Sequence, residues 1–248
     1  MTRFLALLSL STLALAACGG GNDETAEPDA SANAVFDSET TVDTDAMAEA
    51  AEEKDAPKSV PAPEGSKAGD AMILGAEDAP LTIVEYASST CPACAAFHSQ
   101  VFPKIKEEYI DTGKVRFEYR EFPTNPQNLA YAGFYLARCA ATDRGAPAYF
   151  AMLDTLYERQ REWAYGPNPG PVLESIASQA GIDREGLQSC LYREDVKAAV
   201  KANVMRGLED DNVRQTPTFM IDGKEVDWGR SEEGMMAMID SELAKRAQ

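Results

Sequence analysis

The sequence predicts an α/β protein in which a mixed central sheet carries helices and is interrupted by a helical block. Three observations lead there. "PLTIVEYAS" is almost wholly apolar and β-branched, the pattern of a strand covered on both faces. "KVRFEYREF" alternates Val115, Phe117 and Tyr119 with charged neighbours, which also reads as a strand. A long helical stretch, residues 127–206, then precedes the hairpin signal "TPTFMIDGKEVDW". A strand–helix–strand unit joined to a later hairpin and helix makes an α/β sandwich with parallel and antiparallel pairs.

The elements follow in order. Residues 80–88 form the central strand, and 88–90 form a loop. Cys91-Pro92 opens a helix, with proline in the first turn where its missing N–H is not needed. The apolar positions continue through Phe97, Val101 and Ile105, and Pro103 kinks or restarts the helix. Gly113 turns the chain into the strand at 114–122. Helices are expected at 128–141, 147–163, 171–179 and 184–208, with the irregular "YGPNPGP" between the second and third. Asp222-Gly223 marks a tight hairpin, residues 225–228 the return strand, and 231–245 a final amphipathic helix. Met235, Met236 and Met238 of that helix read as core filler.

The ends and the composition set the compartment. Arg3 and a short apolar run make residues 1–17 an export signal. Leu15-Ala16-Ala17-Cys18 resembles the lipobox of bacterial lipoproteins, which implies an acylated Cys18 as the mature N-terminus; the alternative is an ordinary secretory signal. The chain carries a net charge of -18, and most of it lies before the fold. Residues 18–70 hold acids, Ala, Thr and Pro with few large apolar groups, and read as a disordered acidic tether with a reach of roughly 40 Å. The folded part, residues 71–248, is acidic too, so nucleic acid is not an expected partner. Contact with a membrane is expected through the lipid only.

Export makes disulfides durable. If a lipid takes Cys18, then Cys91, Cys94, Cys139 and Cys190 remain, an even number. The pair in "SSTCPACAAFH" admits three readings. Structural zinc needs four ligands, and the chain has one such pair and one histidine, His98. A Cu(I) relay suits thiolates, although exported copper chaperones of the Sco type space their cysteines by three residues and use a distant histidine. The third reading is a redox dithiol at a helix start. Unpaired N–H groups and the helix dipole there favour an ionised Cys91, bringing a thiol from about 8.5 into the range ~3.5–7.5. Cys94, one turn on and less exposed, would resolve the mixed disulfide.

"VEYASSTCPACAAFH", "VRFEYREFP" and "TPTFMIDG" together resemble the DsbA-type family of thiol-disulfide oxidoreductases, over roughly residues 71–248. The resemblance implies a thioredoxin-like fold with a mixed central sheet and an inserted helical domain at about 127–206. It implies that Pro217 is the cis-proline beside the active-site disulfide, and that the backbone at Thr216 pairs with the substrate peptide. It places an acid at Glu85, where burial would favour the neutral form and let the carboxyl exchange a proton with Cys94; the alternative is a Glu85 facing solvent. His98 is expected on the helix surface. Cys139 and Cys190 look like a structural disulfide between insertion helices, which the resemblance also favours; two buried free thiols are the alternative. Ala93 stands where the family's best-known strong oxidase has histidine, which implies a weaker oxidant.

The function expected is that of an exported enzyme introducing disulfides into folding exported proteins by exchange at Cys91 and Cys94. The alternatives are a reductase of selected exported thiols and a Cu(I)-binding carrier using the same dithiol. No cofactor or resident metal is expected. The expected partners are exported protein thiols and a membrane redox protein, DsbB-like or other, that resets the dithiol. The expected setting is the periplasmic side of the cell envelope, lipid-anchored and monomeric.

Overall fold

The central apolar run forms strand β2 (Leu81–Ala87), covered on both faces. The structure, a computed structural model, describes residues 59–247. The expected leader, Cys18 and the acidic segment through residue 58 lie outside the described residues.

Strand β1 (Met72–Leu74) precedes β2, and β3 (Val115–Glu121), β4 (Thr218–Ile221) and β5 (Lys224–Glu225) follow it. Among the described residues these give a mixed sheet in the order β1-β3-β2-β4-β5. β2 runs parallel to β3 and antiparallel to β4, with Glu85 opposite both Tyr119 and Phe219. β1 is antiparallel to β3 on the outer edge. It was not anticipated, because three residues are too few for a period to show. The β4–β5 hairpin turns at Asp222 and Gly223, which both have positive φ, as a tight two-residue hairpin turn requires. Its return strand is shorter than expected and begins at Lys224.

Helix α1 (Pro92–Gln100) follows β2. The chain then restarts as α2 (Phe102–Ile105), with Pro103 in its first turn, and widens into a π-helical turn at Lys106–Ile110. The helical block comprises α3 (Gln127–Arg144), α4 (Ala146–Glu158), α5 (Gln160–Trp163), α6 (Pro169–Gln179), α7 (Arg184–Leu191) and α8 (Glu194–Glu209). Helix α9 (Glu232–Arg246) closes the fold, with the Ser231 hydroxyl accepting the Gly234 N–H at its start. No helix among the described residues is long and apolar enough to cross a membrane.

The helix expected over 147–163 is two, Ala146–Glu158 and Gln160–Trp163, broken at Arg159; two further expectations are corrected. The helix drawn over 184–208 is two, broken at Tyr192 and Arg193. The tether drawn over 18–70 does not run to residue 70, and both corrections have one cause. Val60 pairs with Arg193: its N–H donates to the Tyr192 carbonyl, and the Glu194 N–H donates to the Val60 carbonyl. Downstream, Ser66 Oγ donates to Asp195, the Lys67 N–H reaches the Thr142 carbonyl, and Ala68 is fully buried. Hydrogen bonds to the helical block, not apolar burial, hold most of residues 59–70 in place, so hydrophobicity does not mark the segment as folded.

Candidate active site

Strand β2 delivers the chain into Ser88-Ser89-Thr90, a turn that is fully buried. Buried polar groups need partners, and here distant elements supply them. Ser88 Oγ accepts the N–H groups of Thr90 and Thr124, and Thr90 Oγ1 donates to the Thr124 carbonyl at 3.1 Å. From the helical block, Tyr157 donates to the Ser88 carbonyl, Gln160 to the carbonyls of Ser89 and Cys91, and Tyr165 to the Thr90 carbonyl. Gly133 of α3 permits this approach, because a Cβ there would lie 2.5 Å from Ser89 Oγ.

Cys91 caps α1. Its φ/ψ of -78/119 is extended, and its Sγ accepts the Cys94 N–H at 3.4 Å, the role usually taken by Ser or Asp. The Cys91 thiol also donates to the Thr216 carbonyl at 3.5 Å, which brings the Thr216–Pro217 peptide, cis in this structure, beside the sulfur. Thr216 Oγ1 is buried without a partner. Cys91 is 7% exposed and Cys94 0%, and both are free thiols. A groove of about 220 Å³ opens beside them, lined by Ala93, Phe97, Thr216, Pro217, Trp228 and Arg230.

Beneath the pair lies Glu85, fully buried, with Oε2 2.9 Å from His98 Nε2. The structure thus corrects the placing of His98 on the helix surface: it is 4% exposed. The missed signal was spacing. His98 follows Cys94 by four residues, so both lie on the helix face turned towards Glu85. Cys139 and Cys190 are joined, with sulfurs 2.00 Å apart, tying α3 to α7 away from Cys91. Gln160 and Tyr165 were also missed, and no local pattern marks them.

A family model described as thioredoxin matches residues 67–241. The chain belongs to the thioredoxin family. A Rickettsia conorii relative with the provisional name protein-disulfide oxidoreductase is 34% identical over 153 residues, 61% of this chain and 53% of that one. Disulfide bond formation protein D of Bacillus subtilis is 28% identical over 158 residues, 62% of this chain and 68% of that protein. The crystal structure of Wolbachia pipientis alpha-DsbA1 matches with a TM-score of 0.64 at 25% identity, over 72% of this chain and 93% of that one. The chain spans about half the length of the Rickettsia relatives it matches.

In this thioredoxin-family site the two thiols are unequal. A hydrogen bond from the Cys94 thiol does most to hold Cys91 down, from 9.0 to about 6, against burial; the N–H groups of Cys94 and Ala93 add to it. Burial pushes the Cys94 thiol well above 9.0, and Cys91 and Glu85 push it the same way. A pH effect follows. Because the folded value of Cys91 lies below its ordinary one, the stability it contributes is fully present above pH 9 and is lost as pH falls through 6. A disulfide has no such titration. The reduced protein is therefore expected to gain about 3 kcal/mol over the oxidised form between pH 5 and pH 8. Denaturant unfolding of both forms across that range measures it; parallel curves would contradict the assignment.

Proposed function

We propose that this protein is an exported thiol-disulfide oxidoreductase that introduces disulfides into folding exported proteins. The observation carrying this reading is the asymmetry of the dithiol: one sulfur capping a helix and ionised near neutrality, the other buried and protonated. The names of the relatives agree with it. A substrate thiolate attacks Cys91 Sγ of the oxidised enzyme, the Cys91–Cys94 bond breaks, and Cys94 leaves with the electron pair and takes a proton. A second substrate thiolate then attacks the substrate sulfur of the mixed disulfide, releasing oxidised substrate and the Cys91 thiolate. Stabilising that thiolate favours the reduced enzyme, which supports oxidation of substrates over their reduction.

Thr216 and Pro217 are the proposed peptide contacts, with the Thr216 backbone beside Cys91 and the adjoining groove taking residues next to the reacting cysteine. Glu85 is the proposed proton source for Cys94. Lipid on Cys18 would hold the chain on the periplasmic side, with residues 18–58 as tether and a membrane redox protein restoring the disulfide. Refolding of reduced, unfolded RNase tests the direction. Stoichiometric oxidised protein should restore RNase activity; a reductase would restore none and would instead reduce insulin.

A further inference from the structure

The exchange chemistry gives the buried acid a task and leaves the base beside it with none. His98 is the one histidine in the chain. Its ring is boxed by Phe102 and Tyr157, each 4.8 Å away between centroids, by Phe97 at 5.4 Å and by Tyr119 at 6.0 Å. One hydrogen bond joins Nε2 to Glu85 Oε2, while Glu85 Oε1 and His98 Nδ1 are both buried without partners. A pair kept only for packing would do better as two apolar residues, because unmatched polar atoms are unfavourable in such surroundings. The two idle atoms lie at opposite ends of one hydrogen-bonded unit. That is the arrangement of a relay, which needs one atom free to receive a proton and another free to give it.

We propose that His98 is a positioning residue that recharges Glu85 with the proton Cys94 takes during exchange. The proposal rests on the oxidoreductase reading above. When substrate sulfur bonds to Cys91 Sγ, the Cys91–Cys94 bond breaks and the electron pair moves to Cys94 Sγ. Glu85 transfers its proton there from Oε1 and becomes a carboxylate, with Oε2 held by the His98 Nε2–H. A proton from solvent then adds at Nδ1, and the Nε2 proton passes to Oε2, which restores the neutral carboxyl. In the reverse direction Cys94 loses its proton along the same path. The ionisable groups facing this unit are Cys91 and Cys94 at the start of α1, Tyr119 of β3, and Tyr157 and Asp154 of α4. Burial keeps both tyrosines neutral, the largest influence on each. Asp154 is exposed on α4, and burial of its carboxyl is the largest influence raising it above its ordinary value.

His98→Gln separates a relay from a filler, since glutamine keeps an N–H towards Glu85 and cannot accept a second proton. Single-turnover reduction of the oxidised protein by glutathione, normalised to thiolate concentration, is expected to fall about 10–100-fold at pH 7 and to recover towards pH 5. A normalised profile that superimposes on the wild type overturns the proposal. Should the variant fail to fold, the wild type decides. A single histidine gives one pair of imidazole ¹⁵N resonances, and these must show a change of protonation between pH 4 and pH 9. One fixed tautomer throughout, in both redox states, overturns the relay. If glutathione exchange proceeds normally beside that fixed tautomer, only the relay falls; a dithiol inert to glutathione removes the oxidoreductase reading itself.

Discussion

Cys91→Ser is expected to abolish disulfide exchange, and Cys94→Ala to leave a protein that captures substrates and holds them. Serine is a favoured helix cap and can accept the Cys94 N–H as sulfur does, so the first variant keeps its fold. What it loses is the nucleophile. With a thiol held at about 6, Cys91 is about 90% thiolate at pH 7. Cys94 cannot substitute, because it has no exposed surface and its thiol is held well above 9.0. Residual activity below about 0.1% is expected, since a buried protonated thiol is neither reachable nor ionised. In Cys94→Ala the attacking sulfur remains while the resolving one is gone. Mixed disulfides should therefore accumulate on non-reducing gels and disappear with dithiothreitol. The opposite pattern, trapping by Cys91→Ser and none by Cys94→Ala, would reverse the roles given to the two sulfurs.

How much of this site the sequence disclosed depends on the range of the interactions. The apolar run of β2, the Cys-Pro helix start and the Asp-Gly turn are local patterns, and each appears where the sequence places it. The shape around the cysteines is not local. Gln160 reaches back across the fold to the carbonyls of Ser89 and Cys91, and nothing near Gln160 announces that use. The same holds for the break at Arg193, where continuous helical pattern gave way to tertiary pairing. At Arg193 the partner is Val60, a residue set aside with the acidic segment for want of apolar neighbours. His98 differs, because its spacing from Cys94 was in plain view. A polar residue was assigned to the surface although its i, i+4 partner was expected to be shielded, and the error lay in weighing residue type above position.

Arg138→Met is expected to destabilise the protein by about 3–5 kcal/mol at pH 7, the usual cost of leaving a buried charge without its partner. Arg138 of α3 is 1% exposed and makes a two-pronged ion pair with Glu121, the last residue of β3, at 2.7 and 3.0 Å. The same guanidinium donates to the carbonyls of Ala68 and Asp70, so it also clasps the N-terminal segment. Tyr149 of α4 and Asn203 of α8 donate to the Glu121 carboxylate as well. Sheet, insertion and N-terminal segment thus converge on one buried ion pair, Glu121 with Arg138. Burial pushes Glu121 up, yet the Arg138 charge and the hydrogen bonds from Arg138 and Asn203 outweigh it and hold the group below 4.5. In the wild type this contribution is present above pH 4.5 and is lost as pH falls through the lower folded value. In Arg138→Met burial acts without the opposing charge, so the carboxyl gains a proton on folding and the variant should become more stable as pH falls from 7 to 5. Guanidinium unfolding at both pH values reads the two slopes. A loss under about 1 kcal/mol, the range of an exposed pair, would show that the ion pair does not join the insertion to the sheet. Adding Glu121→Leu to Arg138→Met removes the stranded charge and should recover much of the loss, because the penalty belongs to the unpaired carboxylate more than to the missing guanidinium.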